Sequence, residues 1–123
     1  MANINILTVD DSVSMRMLLR AALTGAGHQI AEAEDGVAAL EWLESNAKPD
    51  LVITDINMPR MDGFGLIEQI RALPQYRDMP ILVLTTESTS EKKARARAAG
   101  ATGWIVKPFD PEQLNNVIRR VTH

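Results

Sequence analysis

Short, continuously apolar runs alternate with segments of helical period along the whole chain, and this alternation restricts the fold more than any other feature. Residues 4–9, 51–54, 81–84 and 104–106 read as strands, and residues 30–33 as a weaker, partly exposed one next to Gln29 and interrupted by Glu32. Met15, Leu18, Leu19, Ala22, Leu23 and Ala26 fall at offsets 0, 3, 4, 7, 8 and 11, one apolar stripe of a helix that Gly25 and Gly27 bring to an end. A second stripe runs through Gly36, Ala39, Leu40 and Leu43, with Trp42 off it and partly exposed. Leu66, Ile67, Ile70 and Leu73 give a third, ended near Pro74, and Leu114, Val117, Ile118 and Val121 the last. Residues 89–99 read as a helix that is apolar only through Ala94, Ala96, Ala98 and Ala99.

Strict alternation of five strands with five helices predicts an open α/β sandwich, a doubly wound parallel sheet with helices on both faces. The central runs are apolar at every position, as strands covered on both sides require. A chain of 123 residues has the size of one ordinary domain, and no repeat, low-complexity tract or linker divides it, so residues 1–123 are expected to form a single domain. The absence of cysteine removes disulfides, thiol catalysis and thiolate metal sites, and suits a reducing compartment. A formal charge of -3 has the wrong sign for binding a phosphate backbone, so no nucleic-acid partner is expected. The first residues carry neither a basic stretch nor a long apolar run, and no segment approaches the roughly 18 apolar residues of a membrane span. A cytoplasmic protein without membrane insertion is the expectation.

The polar residues show where the chemistry lies. Asp10 and Asp11 follow the first strand, Asp55 the third, Thr85 the fourth and Lys107 the fifth. In a parallel sheet these strand ends share one rim, where doubly wound sheets place their ligands. Taken singly, an aspartate after a strand caps a helix or forms a turn, and a lysine is a surface charge. Together, three carboxylates in one crevice repel one another and call for a counter-charge. A hard divalent cation such as magnesium supplies it through oxygen ligands and keeps open positions for water or phosphate oxygens. Lys107 adds a point charge suited to phosphate, and Thr85 a hydroxyl donor. A nucleophilic carboxylate, a metal, an ammonium and a hydroxyl are the parts that phosphoryl transfer needs.

With those residues in view, the chain resembles the receiver domains of two-component response regulators over essentially its whole length. The resemblance rests on Val9-Asp10-Asp11-Ser12, on Asp55-Ile56-Asn57-Met58-Pro59-Arg60-Met61-Asp62-Gly63, on Thr85 after a buried strand, and on Lys107-Pro108-Phe109. It implies a flavodoxin-like receiver fold with strand order 2-1-3-4-5 and a stand-alone receiver of the chemotaxis CheY type. It also implies roles: Asp55 as phosphoacceptor, and magnesium held by Asp11 and Asp55, by Asp10 partly through water, and by the backbone carbonyl of Asn57. Thr85 and Lys107 would contact the phosphoryl group, Thr85 and Trp104 would form the switch, and the Lys107-Pro108 bond would be cis. Two positions depart from the family's usual pattern: Trp104 stands where tyrosine, phenylalanine or histidine is usual, and Thr86 where alanine or glycine is common.

The resemblance further implies a signalling protein rather than an enzyme, one that assists its own phosphoryl transfer and autodephosphorylation. Its implied partners are a chemotaxis-type histidine kinase, the flagellar motor switch and a phosphatase, with the domain itself a monomer. A phosphate sink or a phosphorelay shuttle would use the same chemistry. A flavodoxin-like cofactor carrier is the alternative from another class, and Asp10 and Asp11 oppose it by repelling a flavin phosphate where a cradle of amides is needed. The basic stretch from Glu91 to Arg97 reads either as a solvated helix face or as a partner surface. His28 is expected in an exposed turn and His123 at the terminus.

Overall fold

The computed structural model describes residues 3–122, and the reading of His123 lies outside them. Five strands, β1 (Asn5–Val9), β2 (Gln29–Ala33), β3 (Leu51–Thr54), β4 (Ile81–Thr85) and β5 (Gly103–Val106), form one sheet in the order β2-β1-β3-β4-β5. Every neighbouring pair is parallel. The helices α1 (Val13–Gly25), α2 (Gly36–Ser45), α3 (Gly63–Arg71), α4 (Ser90–Ala99) and α5 (Pro111–Val121) alternate with the strands, and one 3-10 turn, Pro74–Tyr76, follows α3.

The two-residue repeat of a strand explains why the strand runs are apolar throughout. Leu7, Val9, Val52, Ile81 and Val83 face a core closed by Ala39 and Leu43 of α2, Phe64, Leu66, Ile67 and Ile70 of α3, and Ala96 of α4. Their neighbours Ile6, Leu51, Ile53, Leu82 and Leu84 face the opposite core, closed by Leu19 and Leu23 of α1 and Leu114 and Ile118 of α5. Register sets the rim: Val9 pairs with Thr54 and Thr85 with Val106, so the carboxyl ends of these strands lie side by side. Each helix begins at that rim with a side-chain cap: Ser12, Asp35, Asp62, Thr89 and Asp110 each accept a hydrogen bond from a first-turn amide.

Four local expectations change. Leu18 is exposed, because α1 buries only the narrow line of Leu19 and Leu23 and the flank bearing Leu18 opens onto a groove shared with Pro108 and Phe109. Leu73 lies beyond α3 and leads into the 3-10 turn, where Tyr76 takes the buried position and its hydroxyl donates to the Leu43 carbonyl at 3.2 Å. Of the four alanines expected to anchor α4, only Ala96 is buried. His28 is half-buried rather than exposed, since the Ile4 amide donates to its Nδ1 at 3.3 Å and ties it to the start of β1. Among the described residues, no helix is long and apolar enough to cross a membrane.

Candidate functional site

The end of β1 delivers Asp10 and Asp11 and the end of β3 delivers Asp55; carboxylate oxygens of all three lie within 4.8 Å of one another. Asp10 and Asp55 are buried, 2% and 9% exposed, whereas Asp11 faces solvent. Burial of two adjacent carboxylates is costly without a cation. Lys107, immediately after β5, supplies one: its Nζ donates to Asp10 Oδ2 and to Asp55 Oδ2, both at 2.8 Å. Burial works against the ammonium's charge, but the hydrogen bonds to Asp10 and Asp55 and the charges of both outweigh it, so the Lys107 pKa is held above the usual lysine value. The second oxygens are also committed. The Ser12 amide donates to Asp10 Oδ1 at 2.9 Å, and the Ile56 amide to Asp55 Oδ1 at 2.6 Å.

Thr85 closes β4 with its side chain fully buried. Its Oγ1 accepts from the Glu87 amide at 3.4 Å, which leaves the hydroxyl proton for another acceptor. The Thr85 carbonyl accepts from the Lys107 amide at 2.8 Å, so the two residues are fixed to each other across β4 and β5. The Lys107-Pro108 peptide is cis.

Glu87, which the sequence reading did not single out, joins the remaining candidates. Its carboxylate accepts from Asn57 Nδ2 at 2.9 Å and pairs with Lys92 of α4 at 2.9 Å. Its carbonyl accepts from the indole Nε1 of Trp104 at 3.0 Å. The hydrogen bonds from Lys92 and then Asn57 hold the Glu87 carboxyl below its usual range. Trp104 is therefore half-buried, packed against the core and tied to the β4–α4 loop. The signal for Glu87 was its position, two residues beyond Thr85 on the same rim. Trp42 and His28 stand apart from this cluster, in grooves lined by other residues.

The loop after β3 is held tightly. The Gly63 amide donates to the Ile56 carbonyl at 2.8 Å, and a Cβ at Gly63 would stand 2.3 Å from the Asp55 carbonyl oxygen, so no other residue fits there unchanged. The donor set at the rim is all oxygen and carries a net negative charge even with Lys107 counted, which suits a hard divalent cation and no soft metal.

Comparison with known proteins agrees with this geometry. Residues 6–119 match the model of the response regulator receiver domain. This chain belongs to that family. The chemotaxis protein CheY homologue of Campylobacter jejuni is 42% identical over 117 residues, covering 94% of the present receiver and 90% of the relative. The solved structure of chemotaxis protein CheY4 of Vibrio cholerae superposes with a TM-score of 0.91 at 45% identity, covering 98% of this receiver and 99% of that chain. The receiver domain of a sensor histidine kinase from Pseudomonas aeruginosa, described with a magnesium ion coordinated in its active-site cleft, is 26% identical with a TM-score of 0.89, over 98% of each chain. The present chain is thus a receiver of the CheY type, a signalling protein with its acidic pocket at the carboxyl rim of the sheet.

Proposed function

We propose that residues 1–123 act as a single receiver domain that takes a phosphoryl group from a histidine kinase onto Asp55 and then binds a target, the flagellar motor switch in chemotaxis. The observation that carries this reading is the Lys107 ammonium set between two buried carboxylates at one rim of the sheet, with its backbone tied to Thr85 on the neighbouring strand.

In the proposed reaction an Asp55 carboxylate oxygen attacks the phosphorus of a phosphohistidine. The P–N bond breaks as the new P–O bond forms, and the imidazole leaves with a proton from solvent. Asp55 is buried enough to be sheltered yet lies at the rim, where a donor can reach it. Lys107 already contacts the attacking group and would keep its charge beside the phosphoryl oxygens. The Thr85 hydroxyl would donate to one of those oxygens. Magnesium held by Asp10, Asp11, Asp55 and the Asn57 carbonyl would offset the charge on the group in transfer. Attack of water on the same phosphorus would return Asp55 and free phosphate, which is the proposed autodephosphorylation.

Relatives named as chemotaxis proteins support the chemotaxis setting; a chemotaxis-type kinase, a phosphatase and a cytoplasmic location belong to the same proposal. Beryllofluoride, a mimic of the phosphoryl group, tests the binding step. Capture of a motor-switch component should increase when magnesium and beryllofluoride are added to the receiver. Unchanged capture, with beryllofluoride binding confirmed separately, would point to a phosphate sink or relay shuttle instead.

A further inference from the structure

Arg60 is the one described non-glycine residue with a positive φ, 65°. That region is sparsely populated by side chains as long as arginine and is disfavoured relative to glycine or asparagine. The residue is held there by a fork. Its Nε donates to Asp35 Oδ2 at 2.7 Å and its Nη2 to Asp35 Oδ1 at 3.1 Å. Asp35 is buried at 2% exposure and caps α2 through the Ala38 amide at 2.8 Å. Capping alone needs no cation, since Ser12 and Thr89 cap α1 and α4 with a neutral hydroxyl. What the fork adds is a tie from α2 to the loop of residues 56–63.

A second contact reinforces that tie. The Gly36 amide donates to the Met61 carbonyl at 3.2 Å, and a Cβ at Gly36 would meet Met61 atoms at 2.8 Å, so the loop's backbone rests directly on the start of α2. At its base the loop is closed by Gly63 on Ile56, and on its far flank Asn57 reaches Glu87. Asn57 lies between these fixings, two residues beyond Asp55. We infer that Arg60 is a positioning residue for the metal site: its fork on Asp35 holds the 56–63 loop so that the Asn57 carbonyl stays at the rim.

The inference rests on the proposed magnesium site. Its test is a calorimetric magnesium titration of the full chain and its variants, without any phosphodonor. Arg60→Gly removes the fork and relieves the backbone at the same time, so a merely tolerated arginine would leave affinity unchanged or improved. The expected result is about tenfold weaker magnesium binding, the lower end of what losing a residue that orients a ligand costs. Arg60→Lys, which keeps the charge and loses the fork, should fall between Arg60→Gly and the wild type. Asp35→Asn added to Arg60→Gly should weaken binding no further, because the two act as one pair. Wild-type affinity in Arg60→Gly, or losses that simply add, would overturn the inference while leaving the metal site in place. No magnesium binding by the wild type would overturn both.

Discussion

Lys107 carries the electrostatics of the metal-free rim. It is shared by Asp10 and Asp55, and its removal would leave two buried carboxylates facing each other. Lys107→Met should therefore cost about 3 kcal/mol of stability in urea denaturation without metal, the low end for breaking a buried ion pair. Magnesium should recover part of that loss by replacing the missing charge; an equal deficit with and without metal would contradict the assignment. Asp35 gives a pH signature. The Arg60 hydrogen bond, working against burial, holds the Asp35 carboxyl below its usual range. A carboxyl lowered in the folded state adds stability that is fully present above its unfolded pKa of about 3.9 and is lost as pH falls through the folded value. Acid denaturation of Arg60→Gly should begin at higher pH than that of the wild type, and coincident curves would refute this. Asp10, Asp11, Asp55, Thr85 and Lys107 were legible in the sequence because each stands at a strand end, where topology alone brings them together. Glu87 offered only its position beyond Thr85, and neither its partners nor the Arg60–Asp35 pair were legible, since these depend on loop paths that no spacing encodes.

Among the elements, α4 differs most from its neighbours. It has no apolar stripe: Ala96 is its only buried residue and Ala99 packs half-buried against the same core, with further hold from the Thr89 cap, the Lys92–Glu87 pair, Arg95 stacked 4.0 Å over the Phe64 ring, and Gly100 in a left-handed cap. Elements with little buried apolar surface open most readily. Amide hydrogen exchange should thus be faster in α4 than in α3, which buries Phe64, Leu66, Ile67 and Ile70, and Glu87→Ala should speed α4 further. Equal protection of the two helices would contradict that reading. Trp104 reports on the same loop through its bond to the Glu87 carbonyl. In a Trp42→Phe background, magnesium and beryllofluoride should reduce acrylamide quenching of Trp104 as Thr85 turns to the phosphoryl mimic, and Thr85→Ala should blunt the change. The weak apolar content of α4 was plain in the sequence. The exposure of Leu18 was not, because periodicity gives the direction of a stripe but not how much of its width a neighbouring helix covers.

At the scale of the molecule, one sheet brings strand ends far apart in sequence to a single acidic pocket, with a packed core on each of its faces. The layered α/β class followed from alternation; the order β2-β1-β3-β4-β5 came from the family resemblance, since alternation alone does not choose among windings. Magnesium should raise the melting temperature of the whole chain by mass action, and more in the wild type than in Asp11→Ala. The central claim is that Asp55 is the acceptor. Intact-mass spectrometry after exposure to acetyl phosphate and magnesium should show one added phosphoryl group on the wild type, none on Asp55→Asn and none on the wild type with a chelator; addition to Asp55→Asn at the wild-type level would place the acceptor elsewhere and contradict the account.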